Sequence, residues 1–235
     1  MSDVSCPTSK VLVRVVLTLL LAGICPDAEA HNVGDAILWN REISRIFYRR
    51  CASCHRDGGT SFALVTFQDV QPRAAEIKEA VLSRRMPPWG AVKGYGDFRN
   101  DQGLSQEEIG LINDWVDSNT PRGNNPNVLP KVPKFDKPAT YKLPKNAMEV
   151  KGTVTLKSAL MLDGLFPVKV SSGSSMRIVA VLPDGHTEPL LWLYEYKESA
   201  PHPFFLRKPL SLPAGTTIHG VQPTDRVFLI PGKSK

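Results

Sequence analysis

The chain has 235 residues, is 42% hydrophobic and 22% charged, and carries a formal net charge of +6. This composition excludes a disordered chain and a multi-span membrane protein, and the length allows one large domain or two small ones. No basic and aromatic binding motif accompanies the positive charge, so we do not expect nucleic acid as a partner. A basic face would instead attract an acidic protein or a membrane surface.

The first thirty residues are expected to be a secretory signal peptide. Lys10 and Arg14 precede an apolar run over residues 15–24, and small residues follow up to Ala30 at the spacing that signal peptidase requires. The apolar run is too short to cross a bilayer, which takes about 20 residues. We therefore expect cleavage near Ala30 and a periplasmic or secreted protein that begins at His31. An anchor that is never cleaved is the alternative.

Three helices are predicted in the next segment, which we assign as a domain over residues 31–120. Asn40 is expected to cap a helix that runs into Cys51, and a second helix is expected over residues 69–84. A third helix is expected to start at Ser105, because Ser105 and Glu108 have the spacing of a capping box.

β-structure is predicted after this helical domain. Residues 121–146 contain six prolines and are expected to form an extended linker. Residues 147–235 alternate between apolar and polar, with turn signals at residues 183–185 and 213–215. The predicted fold is therefore α+β as two domains, a small all-α domain followed by an antiparallel β-sandwich.

A short motif in the helical domain carries the clearest chemistry. The sequence reads C-x-x-C-H at Cys51, Cys54 and His55. Two thiols on one turn can each bond a vinyl group of haem, and the histidine beside them can bind the iron, so this motif predicts covalent attachment of one haem c. The other cysteines, Cys6 and Cys25, would leave with the signal peptide. The alternatives are a thioredoxin-like redox pair, which prefers a βαβ context, and half of a zinc site, which needs two further ligands.

Met86 is the preferred second axial ligand of the iron. It follows the second predicted helix and precedes Pro87 and Pro88, which keep it out of helical geometry. Ligation by histidine and methionine fills both axial positions and suits electron transfer rather than oxygen chemistry. The other residues that could take this position are Met148, Met161, Met176, His31, His186, His202 and His219.

Other residues are expected to orient the ligating histidine or to contact the haem. The ring N–H of His55 that does not face the iron is expected to donate to a backbone carbonyl of residues 61–62. Trp89, Tyr95 and Trp115 would either wall the haem or belong to an ordinary aromatic core. Arg84 and Arg85 would either pair with haem propionates or face solvent.

Residues from about 38 to 122 resemble a known family of domains. The matching runs are ISRIFYRRCASCHRDGG, FALVTFQDVQPRAAEIKEAVLSRRMPPW and FRNDQGLSQEEIGLINDWVDSNTP. They are similar to the c-type cytochrome domain of bacterial exported proteins that is often fused to copper type II, ascorbate-dependent-monooxygenase-like modules. The resemblance implies a cytochrome c-like fold, attachment at Cys51, Cys54 and His55, and Met86 as the distal ligand. The family often has proline where this chain has Ser61.

The C-terminal part resembles a degenerate half of the same monooxygenase β-sandwich. The runs are FPVKVSSGSSMRIVAVLPDG, LLWLYEY and LPAGTTI. In the family, the matching stretch carries a His-x-His pair that binds copper, and here these positions hold Val168 and Val170, which cannot ligate a metal. We therefore predict a monohaem cytochrome c that carries single electrons and docks to a redox partner or a larger electron-transfer complex. Association with a membrane complex stays open.

Two other functions remain as alternatives. The first is the haem-bearing component of a copper-dependent monooxygenase, in which the remaining histidines would bind the metal. The second is a gas or redox sensor, which requires a weak or absent sixth ligand. Either alternative predicts that an external molecule reaches a metal. The electron carrier instead predicts a haem iron whose two axial positions are both filled by protein ligands.

Overall fold

Two hydrophobic cores organise the described chain. The computed structural model describes residues 36–136, 141–171 and 175–232, and the predicted signal peptide over residues 1–30 lies outside them. The helical core is built from helices between Trp39 and Trp115, and the β core lies between two antiparallel sheets of four strands. The predicted combination of helices with a sandwich-like β part is confirmed at this level, and the helical part is small.

The first helical region begins one residue before the predicted cap. A turn of π-helix, Trp39–Ile43, leads into α1, Ser44–Arg50, and extended Leu38 takes the position before the first turn. Asn40 lies inside the helix instead of capping it. Its side-chain amide donates to the carbonyl of Asn125 at 2.6 Å, so this polar residue is buried for a tertiary contact. Ile43, Ile46 and Phe47 are all buried and form the apolar face of this helical region.

The second helical region also starts earlier than predicted. Thr66 caps α2, Phe67–Val70, through a capping box with Asp69, and Pro72 lies in a short 3₁₀ turn, Gln71–Arg73. The main helix, α3, spans Ala74–Leu82. Asp69 does not begin the helix: its carboxylate accepts the backbone N–H of Thr66 at 2.7 Å, so it is the third helical residue and closes the capping box with Thr66.

The third predicted helix is confirmed at its start. Helix α4 spans Gln106–Asp117, and the Ser105 hydroxyl accepts the N–H of Glu108 while the Glu108 carboxylate accepts the N–H of Ser105. Ile109, Ile112 and Trp115 point into the helical core. Helix α3 packs against α4.

The strands form two sheets that share the β core. In the first sheet the order is β1-β8-β3-β6, and in the second it is β2-β7-β4-β5. The strands are β1 Met148–Val150, β2 Val154–Thr155, β3 Leu160–Lys169, β4 Ser175–Val181, β5 Thr187–Tyr194, β6 Phe204–Leu212, β7 Thr217–His219 and β8 Arg226–Pro231.

The predicted strands after residue 150 are largely present, with two differences. The run VKGTVTL, residues 150–156, has the alternation of one strand, but Gly152 has φ 66° and separates β1 from β2, which belong to different sheets. Strand β6 was not predicted, because Pro209 and the charges beside it obscure its alternation. Since β6 is an edge strand, Pro209 can lie there without removing a hydrogen bond that a central strand would need.

The proline-rich segment packs partly against the helical part. Trp39 and Asn40 donate their backbone N–H groups to the carbonyls of Pro121 and Arg122 at 3.0 and 3.1 Å. The guanidinium of Arg56 donates to the carbonyl of Asp136 at 2.5 Å. Residues 137–140 of the predicted linker lie outside the described residues. Residues 121–136 thus form a strap along the helical part, and the predicted extended conformation is interrupted by a 3₁₀ turn, Pro126–Val128.

Residues 89–100 were assigned to the helical domain, but they pack against the β part. Trp89 and Phe98 are buried in the β core. Ala91 bridges to Leu193 of β5, and Phe98 bridges to Leu206 of β6. The two parts are therefore joined by this segment, and Ile37–Lys235 form one compact unit. No helix within the described ranges is both long enough and apolar enough to cross a membrane.

Candidate haem attachment site

The three motif residues lie on one turn at the end of α1. Cys51 keeps helical backbone angles, with φ −113° and ψ −44°, and its N–H donates to the carbonyl of Phe47. The carbonyl of Cys51 then accepts the N–H groups of Cys54 at 3.1 Å and His55 at 2.9 Å. The spacing of the motif therefore places both thiols and the imidazole within one turn of backbone.

The two thiols have different surroundings. Both cysteines are free; Cys51 is half-buried against the helical core, and Cys54 is exposed. Burial, the negative charge of Glu108 and the neighbouring Cys54 raise the pKa of Cys51 to about 12, although Arg50 opposes this. Reactive redox cysteines have a lowered pKa. The environment of Cys51 therefore speaks against the thioredoxin-like alternative.

A backbone carbonyl fixes the orientation of the His55 ring, as the sequence predicted. The Nδ1 atom of His55 lies 3.0 Å from the carbonyl oxygen of Phe62. A carbonyl can only accept, so Nδ1 carries the proton and Nε2 keeps its lone pair. No residue of the described ranges bonds Nε2. Burial lowers the pKa of His55, partly offset by the Phe62 hydrogen bond, so the neutral form that can bind a metal is favoured.

The loop between His55 and Phe62 is shaped to bring this carbonyl back to the ring. The carbonyl of Cys54 accepts the N–H groups of Thr60 and Ser61 at 3.0 and 3.1 Å. A Cβ atom at Gly59 would overlap the carbonyl oxygen of Cys54. The close return of the loop thus requires glycine at this position.

Met86 lies just after α3, and a backbone hydrogen bond joins it to that helix. Its N–H donates to the carbonyl of Ala80 at 3.1 Å, and its peptide bond to Pro87 is cis. Arg84, with φ 55°, turns the chain out of the helix. The Met86 side chain is 43% exposed and belongs to neither core. Within the described ranges, no hydrogen bond joins Met86 to the three motif residues, although α3 and Cys51 pack on the same helical core.

Large apolar side chains of the helical part are exposed beside His55 and at the end of α3. Phe62 is 52% exposed, Leu82 is 50% exposed and Met86 is 43% exposed. The Phe62 ring contacts the His55 ring edge-on, with centroids 4.8 Å apart. Uncovered apolar surface, two free thiols and an imidazole with an unpartnered Nε2 are what an attached haem would use. The residues present therefore fit this group.

Of the three aromatic residues that could wall the haem, the two tryptophans are buried in hydrophobic cores and Tyr95 is half-buried. Trp115 is fully buried in the helical core, and its indole N–H donates to the carbonyl of Pro121 at 3.1 Å. Trp89 is buried in the β core, and Tyr95 packs edge-on against Trp192. Among the arginines, Arg84 donates to Gln106 and Arg85 to Glu79. Sequence patterns could identify these aromatics as buried, but not which core they enter.

The remaining described histidines are spread over the β part, each with its own partners. His186 pairs with Glu188 at 3.0 Å, His219 lies 3.3 Å from the hydroxyl of Thr153, and His202 lies between two backbone carbonyls. No three His, Cys, Asp or Glu residues gather into a metal-binding group within residues 36–136, 141–171 and 175–232. His31 lies outside these ranges.

Glu108 connects the start of α4 to the end of α1, directly before the motif. Its carboxylate accepts Arg49 at 2.6 Å, Arg50 at 3.1 Å and the backbone N–H of Ser105 at 2.7 Å. The capping-box pattern predicts the contact of Glu108 with Ser105. It does not predict the ion pairs of Glu108 with Arg49 and Arg50. Arg49 and Arg50 are the last two residues of α1. By binding both, the buried carboxylate of Glu108 holds the end of α1 in place, and the turn that begins at Cys51 follows directly.

We expect Glu108→Ala to lower the free energy of unfolding by about 2–3 kcal/mol, because it removes one of the two hydrogen bonds of the capping box and leaves Arg50 without its carboxylate partner. This is less than the roughly 3–5 kcal/mol of a fully buried pair, since Arg49 is largely exposed. Urea denaturation of the variant measures the change. Glu107→Ala, in the same turn but exposed, is the control and should change stability by less than about 0.5 kcal/mol. Equal effects of the two substitutions would contradict this role.

The contribution of Glu108 should also depend on pH. Burial opposes its ionisation, but hydrogen bonds from Ser105, Arg50 and Arg49 outweigh burial and lower the pKa of the carboxyl. A carboxyl with a lowered folded pKa stabilises the fold above its unfolded pKa of about 4.3, and this stabilisation is lost as the pH falls through the folded pKa. The stability difference between the wild type and Glu108→Ala should therefore be constant near neutral pH and shrink below about pH 4. A difference that grows on acidification would contradict the assignment.

Comparisons with known proteins do not identify a family. No family model and no curated protein matches the chain. Two crystal structures of the capsular polysaccharide assembling protein CapF from Staphylococcus aureus show 12% identity and a TM-score of 0.18 each, over 67% and 68% of this chain. The matches span only 38% and 43% of the CapF chains. This likeness carries no argument about fold or function.

Proposed function

We propose that the protein is an exported monohaem c-type cytochrome with a cytochrome c-like helical part, and that it carries single electrons to or from a partner protein. The observation that carries the proposal is the C-x-x-C-H turn in which the Nδ1 atom of His55 donates to Phe62. This hydrogen bond leaves Nε2 free, and the same turn presents both thiols.

Four residues would hold the haem. Cys51 and Cys54 would each form a thioether by adding S–H across a vinyl double bond, a reaction with no leaving group. His55 would bind the iron through Nε2, and Met86 would be the second protein ligand of the iron. The bound haem would supply a one-electron ferric/ferrous couple, whose potential is raised by methionine ligation.

The surrounding residues of the chain prepare this site. The Phe62 carbonyl keeps the His55 ring in one tautomer and one orientation, which a ligating histidine requires. The Phe62 ring contacts His55 and is itself covered on one side by the Arg73 guanidinium, 4.6 Å from the ring centroid. Phe62 and Leu82 offer apolar surface that excludes water when it is covered.

The cationic surface near the motif supports an acidic redox partner. Arg49 is 61% exposed although it contacts Glu108, and Arg56 and Arg73 lie over the rings of Phe135 and Phe62. Such charges raise the rate of encounter with an acidic protein in a salt-dependent way. The β part would add the surface that docks the carrier to its partner or to a larger complex.

The visible spectrum of the purified reduced protein, with and without carbon monoxide, tests this function. The protein should be expressed in a host that exports and matures c-type cytochromes. We expect a c-type spectrum that carbon monoxide leaves unchanged, because both axial positions are filled. A protein without haem would refute the proposal, and rapid binding of carbon monoxide would favour the sensor alternative over electron transfer.

A further inference from the structure

The segment that follows Met86 is bound to the edges of both sheets. The carbonyl of Gly90 accepts the N–H of Tyr194 at 2.9 Å, and the N–H of Val92 donates to the carbonyl of Trp192 at 2.8 Å. Further along the segment, the backbone N–H of Arg207 donates to the carbonyl of Asp97 at 2.8 Å. The backbone N–H of Arg99 donates to the carbonyl of Phe205 at 2.9 Å. Strands β5 and β6 are edge strands, so residues 90–99 cover one open edge of each sheet.

Trp89 anchors the start of this segment. Its side chain is 4% exposed, and its ring stacks on His202 with centroids 5.0 Å apart and lies against Phe204 at 4.6 Å. The carbonyl oxygen of Trp89 lies 3.2 Å from Nε2 of His202, and Nδ1 of His202 lies 2.8 Å from the carbonyl of Ala200. Burial lowers the pKa of His202 and favours the neutral ring, which carries one N–H and donates to one of these two carbonyls at a time. Its ring face also stacks on Trp89, so His202 holds Trp89 from within the β part.

Only two residues separate this anchor from Met86, and both are prolines. Proline fixes its own φ angle, so Pro87 and Pro88 form a stiff connection. On the other side, the N–H of Met86 is held by Ala80 of α3. The backbone of Met86 is thus fixed from the helical part at one end and from the β part, through Trp89, at the other.

We infer that His202 is a positioning residue for Met86, and that the β part serves to hold the axial ligand of the iron in place. This inference rests on the proposed function, because it takes Met86 as the ligand. It gives the β part a task inside the molecule: its contacts with Trp89 keep Met86 close to the iron and keep the sixth position closed. Loosening of those contacts increases the fraction of molecules in which the position is open.

The test uses the exported, haem-loaded full chain with two substitutions at one position. His202→Phe keeps an aromatic ring against Trp89 and loses the ring N–H, whereas His202→Gln keeps an N–H that can reach the Trp89 carbonyl. The readouts are the far-red charge-transfer band of methionine-ligated ferric haem, carbon monoxide binding by the reduced protein, and the reduction potential. His186→Phe is the control, since His186 is exposed in the same β part and pairs with Glu188.

One lost hydrogen bond should raise the population with an open sixth position about two- to tenfold. We expect this rise in His202→Phe, together with a weaker far-red band and a lower reduction potential. His202→Gln should recover towards the wild type in all three readouts. His186→Phe should change none of them. If Met86→Ala opens the site but His202→Phe leaves band, carbon monoxide binding and potential as in the wild type, the inference is refuted. A wild type without attached haem would refute the proposed function itself, and this inference with it.

Hydrogen exchange of the unmodified protein gives a second test that does not depend on a variant that folds. The amide of Val92 should be protected as strongly as amides between β4 and β5, because it donates to Trp192 across the sheet edge. Exchange of Val92 as fast as that of an open loop would show that the segment is not anchored, and would also overturn the inference.

Discussion

Replacement of Cys51 and Cys54 together by serine is expected to abolish covalent haem attachment completely. Thioether bonds form by addition of S–H to the vinyl groups, and serine hydroxyls do not undergo this addition. The variant should stay folded, because Cys54 is exposed and Cys51 is only half-buried. Haem staining of a denaturing gel measures the result, since only covalently bound haem remains on the chain.

The matched control for the cysteine variant lies between the two thiols. Ser53 is exposed on the same turn, and its hydroxyl lies 3.8 Å from the sulfur of Cys54. Ser53→Ala should therefore retain full staining. Staining that survives in the double serine variant would mean that the haem, if present, is held by other residues, and the assignment of the motif would fall.

Substitution of Met86 by alanine should open the sixth position of the iron. Alanine cannot ligate, so the reduced variant should bind carbon monoxide readily, whereas the wild type should not. The reduction potential should fall by on the order of 0.1 V, part of the roughly 0.8 V range over which axial ligands set haem potentials. Spectroscopic titration with carbon monoxide and redox titration measure the two effects.

Met161 provides the matched control for Met86. It is also a methionine with substantial exposure, 39%, but it lies on β3 in the β part. Met161→Ala should leave both carbon monoxide binding and potential unchanged. If Met86→Ala behaves like Met161→Ala, Met86 is not the axial ligand, and another residue fills that position.

Local signals in the sequence predicted much of the helical part. The capping box of Ser105 and Glu108 was identified because its two hydrogen bonds depend only on residues three apart. The turn at residues 183–185 was identified for the same reason, with Gly185 at φ 86° between β4 and β5. The carbonyl partner of His55 could be anticipated because the loop back to Phe62 is short. Local chemistry was sufficient for each of these features.

Tertiary contacts explain what the sequence did not predict. Trp89 is apolar enough to be buried anywhere, and no local pattern says that it enters the β core rather than the helical one. Strand β6 carries Pro209, which is tolerated only because β6 is an edge strand, and strand order is not written in the local pattern. The pairing of Arg49 and Arg50 with Glu108 joins residues far apart in the chain, so it too depended on the fold.

The most direct test of covalent haem at Cys51 and Cys54 is the intact mass of the exported protein under denaturing conditions. The account predicts the mass of the processed chain plus one whole haem, because addition across two vinyl groups loses no atoms. Fragmentation should place the added mass on a peptide that contains both cysteines. A chain with unmodified thiols, produced in a host that matures other c-type cytochromes, would contradict the account.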